Sequence, residues 1–386
     1  MNGYVPIGDI PIQATEKNSV FASGDALNLV VNASRIDSKG GLHTFAVALL
    51  ECLQTFPQPV EVVLPQGVDV KSPIHTNRTP RWFAGSTNVS KLRPILWLFY
   101  SAFFFPARRG THILSTTHHV LPLRPGQVVT VHDLRPLYEP DSWVQHFYFR
   151  YLLPRSLRRC DGILTVSQAS KEVLILAYSI PAEKIHVVPN AIRLPPQSLP
   201  GTEHLLIPAL PFLLMVGASW KHKNAVEMLQ QHALWSSRYR LKIVAGKGQY
   251  LEHIKSTARA MQLEEKLDFI DSIDDKSLDI LYATCSALVY PSRMEGFGLP
   301  PLEAMAHAKP VIVSDIPVMR ELLGAVPLYV TLGDSTSWST AFEDLREIEA
   351  NPTHWRRSAG RQTAESYSLD RMRRALLFAL NTIWNQ

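Results

Sequence analysis

Short apolar runs alternate with amphipathic stretches from about residue 26 to the end of the chain. That is the pattern of strands and helices in parallel sheets covered on both faces. Residues 26–32 read as a buried first strand and 45–53 as the helix after it. Further strands are expected at 60–64, 112–115, 128–131 and 162–166. Ser167 then opens a helix as its N-cap. A proline-dense stretch, Pro189, Pro195, Pro196, Pro200, Pro208 and Pro211, interrupts the alternation and suits a linker. Strands resume at 211–217, 241–246, 287–290 and 310–314. The expected organisation is a loose tail over 1–25, a first α/β domain over 26–200, a second over 201–365, and a closing segment over 366–386.

Length and composition agree with this. A chain of 386 residues suits two domains, and 46% apolar with 19% charged residues excludes a disordered or coiled-coil protein. The net charge of +5 is too small to imply nucleic acid, but it suits an anionic lipid surface or a phosphorylated ligand. Cys52, Cys160 and Cys285 are odd in number and far apart, so neither a disulfide framework nor a zinc site is expected, and a reducing cytoplasm fits. The first 25 residues lack the apolar segment of a signal peptide.

One apolar stretch, residues 95–105, has 11 residues against the roughly 20 that a spanning helix needs. Lys91, Arg93, Arg108 and Arg109 flank it. Two readings are open: a core helix, or a helix lying in a membrane interface with aromatics down and cations toward lipid phosphate, over the strip 91–109. Pro94 suits a first helical turn and Pro106 would stop the helix.

Ligands of open parallel sheets sit beyond the carboxyl ends of strands, and four strand exits stand out. Gly40-Gly41 can bring backbone N–H groups to an anion, or simply make a tight turn. His132 follows a strand, where an imidazole can bond a sugar hydroxyl; Asp133 beside it can form a turn. His118 and His119 have no carboxylate at ligand spacing, so no metal site is expected there. Lys221 and Lys223, after the strand ending near Gly217, can neutralise a diphosphate or form a solvated basic turn. The fourth exit, 291–305, carries Glu295, Gly296, Phe297, Gly298 and Leu299, then Pro300 and Pro301, which pre-set the first turn of a helix, and Glu303, placed in that turn. The glycines expose N–H groups, one carboxylate can accept from sugar hydroxyls, and the other can take both hydroxyls of a ribose. No GxGxxG fingerprint occurs, which counts against a dehydrogenase.

The spacing of Glu295 and Glu303 resembles the E-x7-E motif of retaining GT-B glycosyltransferases, and EGFGLPPLEAMA is similar to family 4 of those enzymes. Segments 166–170, 185–191, 217–224, 246–248, 274–282 and 309–314 resemble the family in order and spacing. The resemblance implies two Rossmann-like domains facing a cleft, with a final helix over 369–384 crossing back to the first domain. The second domain would bind a sugar nucleotide and the first an acceptor. Lys223 would hold the donor diphosphate, with Gly40 and Gly41 approaching the same phosphates. Glu295 would contact the transferred sugar, Glu303 the ribose, and His132 would lie near the sugar. Gly296, Phe297, Gly298 and Leu299 would complete the donor loop, and no metal would be required. Many relatives carry an arginine where this chain has Ala218; Lys221 or His222 would stand in. Lys223-Asn224 resembles a mannosyltransferase-like branch, which favours GDP-mannose as co-substrate over UDP-glucose. The expected acceptor is a lipid-linked oligosaccharide or polysaccharide at the inner face of the cell membrane. A hydrolase or phosphorylase on the same architecture, and a non-catalytic sugar-nucleotide-binding scaffold, are the rivals.

Overall fold

The computed structural model describes residues 28–385 except 38–39, 57, 69, 71–73, 81–92, 108–109, 196–209 and 272. The expected tail over 1–25, Lys91, Arg108, Arg109 and most of the proline-dense stretch lie outside the described residues. Two compact units emerge: Met1–His132 with Arg150–Val188 and Arg373–Gln386, and Asp133–Phe149 with Pro189–Met372.

In chain order the first half carries β1 (Leu29–Asn32), α1 (Gly41–Leu53), β2 (Val60–Leu64), β3 (His75–Arg78), α2 (Arg93–Phe103), β4 (His112–Ser115) and β5 (Gln127–Thr130). Short helices α3 (Arg135–Tyr138) and α4 (Trp143–Phe147) follow, then α5 (Leu153–Leu157), β6 (Gly162–Thr165), α6 (Gln168–Tyr178) and β7 (Ile185–Val187). The seven strands form one sheet in the order β3-β2-β1-β4-β5-β6-β7, with every pair parallel. β1, β5 and β6 are buried along their whole length, as strands covered on both faces must be. Ser167 caps α6 by accepting from the Ser170 amide at 3.1 Å.

The second half carries β8 (Phe212–Val216), α7 (Ala225–Gln230), α8 (His232–Trp235), β9 (Arg240–Val244), α9 (Gln249–Ala260), β10 (Leu267–Ile270), α10 (Asp275–Thr284) and β11 (Ala287–Tyr290). It ends with α11 (Leu299–Ala306), β12 (Val311–Ser314), α12 (Pro317–Leu323), β13 (Leu328–Val330), α13 (Ser335–Ala350), α14 (Trp355–Glu365) and α15 (Leu369–Trp384). Its six strands run parallel in the order β10-β9-β8-β11-β12-β13. The core beneath them gathers Trp235, Trp338 and Phe342 with the apolar residues of β8 and β9.

The units do not follow the expected boundaries. The change falls after Val188 and not near residue 200, because the chain beyond Pro189 is tied to the second unit: the Ile192 amide donates to the Tyr367 carbonyl at 2.9 Å. Residues 133–149 also belong to that unit, with the Arg135 guanidinium 5.5 Å over the Trp220 ring. The closing helix starts at Leu369, as the resemblance implied, but its residues count with the first unit only from Arg373. There Ile383 lies so close to β6 that a Cβ on Gly162 would stand 2.4 Å from its Cδ1. The aromatic ring of Trp384 lies 4.7 Å from that of His112.

Helix α2 turns one face into the core, as the first reading of the apolar stretch has it. Trp97 and Tyr100 turn inward with Phe105 onto Val30, Val63 and Ile113, while Phe99, Phe103 and Phe104 stay exposed. Among the described residues no helix is long and apolar enough to cross a membrane.

Candidate active site

In each sheet the strand order reverses once, between β1 and β4 and between β8 and β11. Loops leaving the two strands at such a reversal part toward opposite faces and leave a crevice at their carboxyl ends. The expected donor residues of the second unit sit on the exits of β8 and β11.

The β8 exit begins at Gly217, whose φ of +78° turns the chain sharply. A single 3₁₀ turn, Lys221–Lys223, follows, closed by Asn224 in the left-handed region and then by α7. The β11 exit is pinned to it. The Arg293 amide donates to the His222 carbonyl at 2.8 Å, and Arg293 Nη2 donates to Asn224 Oδ1 at 3.0 Å. Ser314 Oγ, at the end of β12, also donates to the Ser292 carbonyl. These bonds bring two carboxylate-bearing and cation-bearing loops face to face.

Lys223 Nζ donates to Glu295 Oε1 at 2.7 Å and to the Tyr290 hydroxyl. Burial is the largest influence on Glu295 and works against its ionisation, but the charge and hydrogen bond of Lys223, together with His222 and Ser292, hold the carboxyl below the usual glutamate range. Burial also pulls the His222 imidazole down to about 4, so it is neutral at pH 7. Lys221 is exposed beside it. Ala218 is fully buried in the core under the loop. Arg135 and Asp141, from residues 133–149, are near enough to His222 to influence its protonation.

Gly298 adopts φ +113° as the N-cap of α11, and a Cβ there would meet Met319 Cε at 2.6 Å. Leu299 begins the helix and its amide points out of the end toward the loop, while Pro300 and Pro301 pre-set the first turn and carry no N–H of their own. Glu303 is the fifth residue of α11, in its second turn and not its first. It accepts from the Tyr282 hydroxyl at 2.6 Å through Oε2. Burial, with Asp279 and Asp275 nearby, pushes the Glu303 carboxyl above its ordinary range, against the pull of that hydroxyl.

In the first unit, His132 follows β5 and donates from Nε2 to the Thr116 carbonyl at 2.9 Å, which places a proton on that nitrogen. Its ring stands edge-on to Phe45 of α1 at 4.6 Å. Asp133 accepts from the Arg135 amide at 2.9 Å, as a turn former does. Gly40, with φ +96°, caps α1, and a Cβ there would touch nothing within 4 Å; Ser38 and Lys39 lie outside the described residues. His118 and His119 stack at 4.3 Å, and burial drives His118 down to about 3. Among the described residues no three His, Cys, Asp or Glu side chains gather as metal ligands would.

Tyr290, Tyr282 and Arg293 have no role in the sequence reading. Tyr290 reads there as one more apolar residue of a strand; its place as the last strand residue before a ligand loop is the signal that would have singled it out.

Two family models cover most of the chain: glycosyltransferase family 4 over residues 39–194 and glycosyl transferases group 1 over residues 203–363. The O-antigen chain mannosyltransferase RfbU of Salmonella typhimurium is 35% identical over 83% of this chain and 91% of its own length. The O-antigen chain mannosyltransferase B of Escherichia coli is 29% identical over 54% of this chain and 58% of its own. Among solved structures, sucrose-phosphate synthase from Thermosynechococcus elongatus superposes with a TM-score of 0.69 at 18% identity, over 91% of this chain and 97% of that one. HepE of Anabaena, in complex with UDP and glucose, gives 0.68 at 17% identity over 92% and 99%.

Proposed function

The chain belongs to the group 1, family 4 glycosyltransferases with the GT-B fold, and from that premise we propose that it transfers mannose, with retention of configuration, from GDP-mannose to a hydroxyl of a lipid-linked oligosaccharide or polysaccharide. The observation that carries the reading is the Lys223–Glu295 contact at the β8/β11 reversal, with Glu303 on the next helix. The Salmonella relative's name supports mannose.

An ammonium has three N–H donors. Two point at Glu295 and Tyr290, and the third is assigned to an oxygen of the donor diphosphate. That charge-assisted bond, together with the Leu299 amide at the start of α11, stabilises the negative charge that grows on the departing diphosphate. Glu295 accepts from hydroxyls of the transferred sugar, and Glu303 accepts from the ribose. Gly296, Phe297, Gly298 and Leu299 line the donor. His132 and the Gly40-Gly41 turn are assigned to the sugar and the phosphates on the family pattern alone, and the exposed Lys221, with His222 neutral at pH 7, to the charge that relatives supply with arginine at the place of Ala218. No protein nucleophile is required if the leaving phosphate accepts the acceptor's proton. Reaction at the cytoplasmic face of a membrane fits such an acceptor.

A donor panel tests this. GDP-mannose should raise the melting temperature more than UDP-glucose, and the purified protein should pass mannose to an extract of lipid-linked oligosaccharide with an α product by NMR. Stabilisation by UDP-glucose alone would replace the donor. Free sugar without a lipid product would favour a hydrolase, and binding with no turnover a scaffold.

A further inference from the structure

Glu303 has two carboxylate oxygens, and one is already engaged. Tyr282, fully buried on α10, donates its hydroxyl to Oε2 at 2.6 Å. Its ring lies near-parallel to that of His307, with centroids 5.9 Å apart and planes at 24°. His307 directly follows α11, and its Nε2 faces Asp279 Oδ1 of α10 at 3.4 Å. Two helices are thus joined at the root of Glu303 by a hydrogen bond, a ring contact and a polar contact. Rotation of the carboxyl group would have to break the first of these.

We propose that Tyr282 is a positioning residue of the donor site, its hydroxyl fixing Oε2 of Glu303 so that Oε1 is presented to the paired hydroxyls of the donor's ribose. The inference rests on the assignment of Glu303 to the ribose. A single carboxylate oxygen has two lone pairs and can accept from both hydroxyls of a cis-diol. A carboxyl group already held in place loses less rotational freedom on binding than a free one.

The hydroxyl has a second consequence. Burial, Asp279 and Asp275 all favour the protonated carboxyl, while the Tyr282 hydroxyl favours the carboxylate. Tyr290 of β11 and His307 also lie in these surroundings, with Cys285 beside Tyr282 and the cations Lys309 and Arg361 beside His307, and burial keeps Tyr290 and His307 neutral at pH 7. Without the hydroxyl the carboxyl takes up its proton at a higher pH and loses the charge that makes it a strong acceptor.

The test is calorimetric titration of the full chain with GDP, UDP and their 2′-deoxy counterparts at pH 8 and pH 6. The wild type, Tyr282→Phe, Glu303→Gln and the double variant are compared. The wild type should prefer the ribonucleotide on the order of tenfold, as expected for a hydrogen bond to a charged group. In Tyr282→Phe that preference should fall to about twofold or less, with a larger loss of affinity at pH 6 than at pH 8. The same substitution on the Glu303→Gln background should change nothing further. A Tyr282→Phe protein with wild-type preference and pH dependence would overturn the role of Tyr282 while leaving the ribose assignment standing. A wild type that binds no ribonucleoside diphosphate would remove the assignment itself, and the inference with it.

Discussion

The ammonium of Lys223 and the carboxylate of Glu295 meet at 2.7 Å across 72 residues of sequence, with only 15% and 10% of their side chains exposed. Each is the other's counter-ion until a donor arrives. A pair this buried is held by mutual dependence: removing one partner strands the other's charge. Lys223→Met should therefore lower stability by about 3 kcal/mol, whereas Lys223→Met with Glu295→Gln should recover a good part of that loss. Urea titration of the four-member cycle reads the coupling, and strictly additive effects would show that the contact carries no energy.

The same two residues should be needed for turnover. Glu295→Gln keeps shape and loses charge; Lys223→Ala removes the cation that we propose lies beside the leaving group. Either should slow mannosyl transfer at least about a hundredfold at saturating donor, the size expected when a preorganised charge is lost from a transition state. Initial rates with labelled GDP-mannose check this, and wild-type rates in either variant would end the assignment.

Glu295 also sets a pH signature for stability. Its carboxyl titrates below the ordinary glutamate value in the folded protein because Lys223, His222 and Ser292 together outweigh burial. A group depressed in this way contributes stability that is fully present above its unfolded value of about 4.3 and is lost as pH falls through the folded one. The stability difference between wild type and Glu295→Gln should be flat from neutral pH down to about 5, then shrink. Denaturant titrations at a series of pH values give the curve; a difference that grows with acid would reverse the sign.

Gly298 is fixed by two constraints at once, a φ of +113° and the Met319 methyl 2.6 Å from where a Cβ would go. Gly298→Ala should cost about 1–3 kcal/mol and weaken donor binding, since it shifts the first turn of α11. Met319→Ala in the same chain should relieve the clash but not the backbone strain. Melting curves of the two proteins separate these contributions, and an unaffected Gly298→Ala would mean that the turn tolerates a side chain.

How much of this was legible beforehand depended on burial. The strands over 60–64, 112–115 and 287–290 match the expected bounds because each is a short apolar run between turn residues. β3 escaped notice because its sequence, His-Thr-Asn-Arg, is that of an edge strand with no buried face. Residues 133–149 could not be assigned to the second unit from sequence, because contacts such as that of Arg135 with Trp220 leave no local periodicity. At the site, carboxylates and glycines announced themselves by spacing. Tyr282 and Tyr290 did not, since a buried tyrosine differs from phenylalanine only in a hydroxyl whose partner lies on another element.

Helix α2 offers a test of the proposed membrane contact. Phe99, Phe103 and Phe104 are 55%, 61% and 63% exposed and cluster with ring centroids 5.2 and 5.7 Å apart. The same helix turns Trp97 and Tyr100 into the core, so the outer aromatics are not needed to hold it. Lys91, Arg93, Arg108 and Arg109 flank them in sequence, the composition of an interfacial segment on an anionic bilayer. Replacing all three exposed phenylalanines by serine should leave the melting temperature and GDP binding unchanged while reducing co-flotation with anionic liposomes about tenfold or more. The wild type should float less on neutral than on anionic vesicles, and less as salt rises. Flotation indifferent to lipid charge, or to the loss of the three rings, would detach the membrane from this helix while leaving the donor chemistry of the second unit intact.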